Sequence, residues 1–486
     1  MNPLSENHLH LTRRQFFGRT ATGIGTAALA SLLARPGYAA LTNSAGGMPG
    51  SALPHFPPKA KRVILLWQGG GPSQVDLFDH KPGLAAMRLQ ELPNSVRTSA
   101  RLSTMTSGQS KYPILPSIKP FKQYGKNGRW LSEMLPHTGS VSDDLCFIHS
   151  MNTDAVNHAP GVTFCLTGSQ ISGRPSMGAW LTYGLGSEAE DLPAFVVLTS
   201  ADQQKTCGQL FYEHYWGSGF IPSKFQGVRL RSEGEPVLYL NDAPGLDRAQ
   251  KRALLDDIAA LNAHQFAQQA DPEIETRISQ YEMAFKMQTS VPGLIDLSKE
   301  SPSTIESYGP DVHRPGSYAR NCLLARRLAE RGVRFVQLMH SGWDQHSNLP
   351  TQLEVQCRDT DQPSAALVRD LKERGLLEDT LVIFAGEFGR TVFVQGDIEK
   401  PNYGRDHLGT AYSVWMAGGG VKPGHAYGQT DEFSYRVAKD PVHVHDWQAT
   451  ILHLLGIDHE RLTYRFQGRH FRLTDVHGKV VKGVLA

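Results

Sequence analysis

The stretch Phe335-Val-Gln-Leu-Met-His340-Ser-Gly-Trp-Asp344-Gln-His346 sets an apolar run directly before a carboxylate and an imidazole. In a parallel sheet such a run is a strand buried on both faces, and the polar residues after it arrive at the carboxyl edge, where ligands bind. Two later segments share the arrangement. Leu381-Val-Ile-Phe-Ala-Gly-Glu387 ends on a carboxylate, and Arg405-Asp406-His407-Leu-Gly409 precedes the apolar run Ala411 to Ala417. His443-Val-His445-Asp446 opens a helical pattern. Asp, Glu and His from separate segments, each beside an ordered element, point to one convergent site.

The rest of the chain repeats the alternation. Val63 to Trp67, Cys146 to His149, Leu192 to Thr199, Val333 to Leu338, Leu381 to Phe384 and Tyr412 to Ala417 read as strands. Helical steps cover 247–290, Ser317 to Glu330, Ala365 to Arg374 and Gln448 to Leu455. Pro175 is placed in the first turn of a further helix, with Arg174 at an entrance that can bind an oxyanion. The alternation predicts an α/β fold, doubly wound, with a largely parallel central sheet flanked by helices. Residues 40–60 read as an extended lead-in and 61–486 as a single domain, with a helical insertion around 247–290 and a short C-terminal β region. Gln68-Gly-Gly-Gly71-Pro72-Ser73 breaks the first strand sharply, but it lacks both the Lys-Ser/Thr ending of a P-loop and the spacing of a dinucleotide fingerprint.

Thr12-Arg13-Arg14-Gln15-Phe16-Phe17 resembles a twin-arginine export motif, and a modestly apolar segment and small residues around Ala39 follow it. Residues 1–39 are therefore expected to be a twin-arginine signal peptide, with the twin-arginine export machinery as a partner and a periplasmic or secreted destination. The apolar segment is about 14 residues, short of the roughly 20 that span a bilayer, so no stable transmembrane association is expected. Loss of Arg13, Arg14, Arg19 and Arg35 with Glu6 would move the formal net charge from +2 to −1. That balance gives no reason to expect a nucleic-acid partner. The five cysteines, Cys146, Cys165, Cys207, Cys322 and Cys357, are too widely spaced for a thiolate metal motif, and most are expected to be buried and free.

Asp344 and His346 can face one ion from a loop or a strand end, and the adjacent pair Asp406-His407 needs a loop to turn both inward. Carboxylate oxygen and imidazole nitrogen suit Zn²⁺, Mn²⁺ or Fe²⁺, and a divalent cation offsets the cost of gathering carboxylates beside apolar strands. The candidate ligands are Asp344, His346, Glu387, Asp406, His407 and His445, the last with His443 as a neighbour. Glu387 either ligates, holds a ligand histidine, carries a proton or pairs with Arg390. Asp76 either joins the site or caps a local turn.

Several motifs together resemble the DUF1501 family: Gly69-Gly-Gly-Pro-Ser73, Thr167-Gly168, Gly173-Arg-Pro-Ser-Met-Gly178, Gly342-Trp-Asp344-Gln-His346, Gly386-Glu-Phe-Gly-Arg390, Asp406-His407 and His445 through Leu455. That family is similar to the alkaline-phosphatase and sulfatase superfamily. The resemblance implies an alkaline-phosphatase-like fold and metal-assisted hydrolysis, with one or two divalent ions and a phosphate- or sulfate-bearing small molecule or glycan as substrate. It groups Asp344, His346 and His445 as one ligand set and leaves Glu387, Asp406 or His407 to a second or altered one. Within it, His158, His407 and Glu387 are candidate proton carriers and Arg174 a candidate stabiliser of the anionic transition state. The chain departs from the superfamily at Phe388, where many relatives carry a ligand histidine, at Gln68, and at Asn157-His158-Ala159-Pro160, where sulfatases carry a modified Cys or Ser. These departures keep an alternative open: a noncatalytic cell-envelope protein binding an anionic glycan or a protein on a hydrolase-like scaffold.

Overall fold

The computed structural model describes residues 53–201, 210–231, 247–269, 271–400 and 402–486. The expected signal peptide and Cys207 lie outside the described residues. Among the described residues no helix is long and apolar enough to cross a membrane.

Nine strands form the central sheet. In chain order they are β1 (Arg62–Gly69), β2 (Leu145–Asn152), β3 (Phe195–Ala201), β4 (Val228–Arg229), β5 (Phe335–Ser341), β6 (Thr380–Ala385), β7 (Tyr412–Ala417), β8 (His425–Tyr427) and β9 (Val442–His443). Their spatial order is β8-β2-β7-β6-β1-β5-β3-β4, with β9 also paired to β2. β1 lies between β5 and β6 and is parallel to both, with Gly69 opposite Ser341 and Trp67 opposite Ala385. Within this sheet β7 alone runs against its neighbours, antiparallel to β2 and β6. The start of β7 therefore shares an edge with the carboxyl ends of β1, β2, β5 and β6. This reversal lets a segment that precedes a strand meet segments that follow strands.

The period-two geometry of a strand divides the core. Ile64 and Leu66 of β1 pack on one face, and Val63, Leu65 and Trp67 on the other. Helices α1 (His158–Thr167), α2 (Met177–Leu185), α3 (Arg248–Gln269), α4 (Pro272–Ile295), α5 (Tyr318–Glu330), α6 (Leu349–Glu373) and α7 (Val444–Leu454) accompany the sheet. Leu323, Leu328, Leu353 and Leu367 from α5 and α6 join the first face, and Cys165, Trp180, Trp447 and Ile451 from α1, α2 and α7 the second. Covered on both sides, the sheet is doubly wound and largely parallel. Cys146, Cys165, Cys322 and Cys357 are buried and free.

Several local expectations need correction. The helix expected over Ala365 to Arg374 is the last part of α6, which begins at Leu349 and passes through Pro363. Proline usually marks a break, and Asp359 and Asp361 in the same helix are buried. Asp361 is retained because its carboxylate accepts from the backbone amides of His137 and Thr138 at 2.8 and 2.8 Å. Pro175 is not in the first turn of α2: Ser176 is its N-cap, accepting from the Ala179 amide.

Candidate metal centre

The sheet edge gathers His158, Asp344, His346 and His407, which can each offer one ligand atom within 4.8 Å of the others. Asp344 and His346 follow β5, His158 opens α1 after β2, and His407 precedes β7. Close backbone approach makes this possible. A Cβ on Gly70, whose φ is +116°, would stand 2.5 Å from the Asp344 amide nitrogen, and one on Gly404 would stand 2.1 Å from the His346 carbonyl carbon.

The oxygen Oδ1 of Asp344 lies 3.1 Å from His158 Nε2, 2.9 Å from His346 Nε2 and 3.4 Å from His407 Nε2. The approach of His158 lacks the geometry of a hydrogen bond, and its Nε2 is buried without a hydrogen-bond partner. Each ring is held from behind at Nδ1: His158 by Glu387 Oε1 at 2.6 Å, His346 by Gln395 Oε1 at 2.6 Å and His407 by the Val156 carbonyl at 2.8 Å. Facing oxygen acceptors, the Nδ1 atoms carry the protons, so the Nε2 lone pairs of the neutral rings turn inward. With all three rings neutral, four lone-pair donors converge, an arrangement that either a cation or a proton on His158 Nε2 relieves. Donors about 2.0–2.1 Å from a four-coordinate ion stand about 3.3–3.4 Å apart, close to the separations from Asp344.

Charge at the centre follows from burial and pairing. Burial works to raise the Asp344 carboxyl, but the Arg390 guanidinium at 2.7 Å outweighs it and holds the group below the usual carboxylate range. Burial likewise opposes the charged form of His158, yet the adjacent carboxylates of Asp344 and Glu387 raise it. His407 is pushed down to about 4, chiefly by burial. Glu387 is fully buried, accepts from the Gly70 amide at 2.9 Å and has no hydrogen-bond partner at Oε2. The Gly69-Gly-Gly71 turn thus spends the Gly70 amide on Glu387.

The remaining candidates lie in other surroundings. Asp406 turns away from the imidazoles: its carboxylate accepts from Ser103 Oγ at 2.6 Å, from Thr106 Oγ1 and from the His407 amide at 2.7 Å. His445 is not brought to the cluster. Its Nε2 donates to the Gly168 carbonyl at 3.1 Å, and its ring stacks on His477 in a separate cavity of about 730 Å³ that Asp154 and His443 also line. Its helix explains this, because His443 and Asp446 form a capping box that sets the first turn of α7. Arg174 pairs with Asp475 at 3.1 Å and lies over the Phe471 ring. Asp76 makes a two-pronged ion pair with Arg405, at 2.7 and 2.9 Å. Phe388 packs its ring on His158 and His407, with centroids 4.9 and 4.5 Å apart.

Two contributors escape sequence reasoning. The sequence suggests Arg390 as a partner for Glu387, whereas it binds Asp344, and it gives no sign that Gln395 holds His346. Neither has a local signal, since each meets its partner only through the sheet-edge loops.

No curated protein sequence matches the chain. Among solved structures it is similar to an alkaline phosphatase from the Antarctic bacterium TAB5, at 11% identity and TM-score 0.30 over 77% of this chain and 96% of that one. It is also similar to a sulfatase from Pseudoalteromonas sp., at 13% identity and TM-score 0.32 over 83% of this chain and 68% of that one. A phosphonate monoester hydrolase from Silicibacter pomeroyi is similar at 12% identity and TM-score 0.29, over 66% of this chain and 68% of that one. The profile of the family described as protein of unknown function (DUF1501) matches residues 60–485, and the chain belongs to that family.

Proposed function

We propose that the chain is a metal-dependent hydrolase of phosphate or sulfate esters, exported by the twin-arginine route, with His158, Asp344, His346 and His407 holding one divalent ion. The observation that supports this most is the set of three imidazole lone pairs aimed at one carboxylate oxygen, each ring fixed from behind by an acceptor. Three nitrogens and an oxygen suit Zn²⁺, Mn²⁺ or Fe²⁺. Such an ion, when bound, supplies Lewis acidity and lowers the pKa of a coordinated water.

The chain's own residues prepare that chemistry. Glu387 holds the Nδ1 proton of His158, which keeps the Nε2 lone pair directed inward and gives that proton an acceptor. Asp344 is kept ionised by Arg390, so a ligand oxygen is available without deprotonation. His158 and His346 are the more open members, with side chains 14% and 15% exposed, and an ester approaches from their side. Phe388 excludes water beside His158 and His407. Arg174, engaged by Asp475 and Phe471, is left out of this mechanism, as are Asp406 and His445 as ligands.

Metal analysis of the natively purified chain, paired with a screen of aryl sulfate and aryl phosphate esters, tests the proposal. A bound ion with chelator-sensitive turnover is expected. A native protein that takes up no ion and turns over no ester overturns it, and a bound ion without turnover favours the binding-protein alternative.

A further inference from the structure

We propose that the cavity of about 730 Å³ beside the start of α7 binds an uncharged saccharide, at a site separate from the metal centre and independent of how that centre is read. Small-molecule sites run from about 300 to 1,000 Å³, so the volume suits one. His443, His445 and His477 line it together with Asp154, Glu460 and Lys479. His445 is 5% exposed, and its Nδ1 is buried without a hydrogen-bond partner. The ring proton sits on Nε2, which donates to the Gly168 carbonyl at 3.1 Å. Burial above all lowers the pKa of this ring, so Nδ1 is a lone pair that calls for a donor.

The wall decides which donor fits. The rings of His445 and His477 are 18° from parallel with centroids 5.1 Å apart, so their in-plane lone pairs run side by side and do not meet at one ion. Among the described residues, the His and carboxylate group close enough to hold a metal is the one at the sheet edge. An anion would meet three carboxylates, Asp154, Asp446 and Glu460, against the single ammonium of Lys479. Asp446 spends its oxygens on the His443 and Lys479 amides, at 3.2 and 2.7 Å. Asp154 gives one oxygen to His443 Nε2 at 3.2 Å, and Glu460 one to Arg472 at 3.2 Å, which leaves each a second oxygen. A hydroxyl serves these groups as they stand, because it donates to an imidazole or a carboxylate and accepts from an ammonium. Donors and acceptors interleaved around one cavity match a ligand with several hydroxyls on a compact ring. Asp154 also belongs to the loop whose Val156 carbonyl holds His407 and which leads into His158, so the cavity and the metal centre share that loop.

Calorimetric titration of the full-length protein with neutral hexasaccharides of glucose, galactose, mannose and N-acetylglucosamine tests this, with metal content measured alongside. Saturable binding of at least one of them is expected, at one site per chain. Asp154→Ala and His477→Ala change exposed groups at the rim and should weaken that binding at least tenfold with metal content unchanged. His445→Phe keeps a ring and removes the lone pair, and should abolish it; where that variant does not fold, the rim variants decide. Failure of all four saccharides to bind overturns the proposal, as does binding that both rim variants leave unchanged. Inorganic sulfate or Zn²⁺ bound in their place, and lost in His477→Ala, overturns it in favour of an anion or metal site. A wild-type chain that binds a saccharide but no metal leaves this proposal standing and counts against the metal centre alone.

Discussion

The Nε2 atoms of His346 and His407 lie 2.9 Å apart, although each ring turns its Nδ1 toward an oxygen acceptor. Two lone pairs at that distance repel, and both point at a carboxylate oxygen that is itself an acceptor. The contact makes physical sense around a positive charge. It also explains why the second hydrogen bond on each histidine matters as much as the first, since those bonds choose the tautomer.

Removing a ligand atom should be felt in both metal content and stability. Asp344→Asn is expected to weaken metal binding by about 100-fold or more. It also leaves the buried Arg390 without its counter-charge, which costs about 3–5 kcal/mol of folding stability. Equilibrium metal titration and denaturant unfolding check the two effects separately. Unchanged metal affinity in the folded variant would remove Asp344 from the ligand set.

Glu387 acts through His158, so its loss should be milder. Glu387→Gln is expected to lower metal affinity by about 10–100-fold while the ion content at saturation stays the same. Competition with a chromophoric chelator measures this; a change in the number of ions bound would make Glu387 a ligand instead.

On the proposed metal centre, protons and metal compete for His158. Its pKa is raised by Asp344 and Glu387 against the effect of burial, so without metal the protonated form persists above the usual imidazole range. Metal binding displaces that proton. Affinity is therefore expected to rise by about tenfold per pH unit up to the raised pKa and to level off above it. Calorimetry in two buffers of different ionisation enthalpy should detect proton release near neutral pH and its disappearance at alkaline pH. His407, held down near 4, contributes no such competition in this range.

His445→Ala should leave metal affinity unchanged, because His445 bonds Gly168 and stacks on His477 away from the cluster. Asp406→Ala should weaken binding, because Asp406 fixes the His407 backbone through Ser103 and Thr106. Equilibrium metal titration of both variants checks this: weakened binding in His445→Ala would make His445 a ligand, and unchanged binding in Asp406→Ala would show that the His407 backbone does not depend on it.

Asp76→Asn isolates a purely structural pair. Asp76 and Arg405 are both fully buried and joined by two hydrogen bonds, so breaking the pair should cost about 3–5 kcal/mol. The denaturation midpoint should fall while the folded fraction still binds metal; full stability would show that the pair is dispensable.

Much of the architecture was legible because local chemistry enforces it. Uninterrupted apolar runs such as Val63 to Trp67 have no solvent-compatible face, and glycine turns such as Gly70-Gly71 mark where the chain must reverse closely against a neighbour. α6 was harder to read, since Pro363 and its buried aspartates look like a loop until Asp361 is seen capping His137 and Thr138. For the centre, Asp344, His346 and His407 stand out beside strand ends, whereas His158 reads from the sequence as a proton carrier and only the fold sets it among the ligand-type groups. Asp406 and His445 carried the same local signal, and only their partners, Ser103, Thr106 and Gly168, show where their side chains go.

By itself the sequence determined that strands and helices alternate around a buried sheet and that ligand-type side chains are delivered at strand ends. Side-chain period and apolar run length are properties of a few consecutive residues. Tertiary structure alone decided which of those side chains meet, because β7 runs against its neighbours and brings His407 to the edge that receives Asp344 and His346. It also placed Arg390 against Asp344, across 46 residues of chain. Pairings over such separations depend on strand order and direction, which no local pattern of residues encodes.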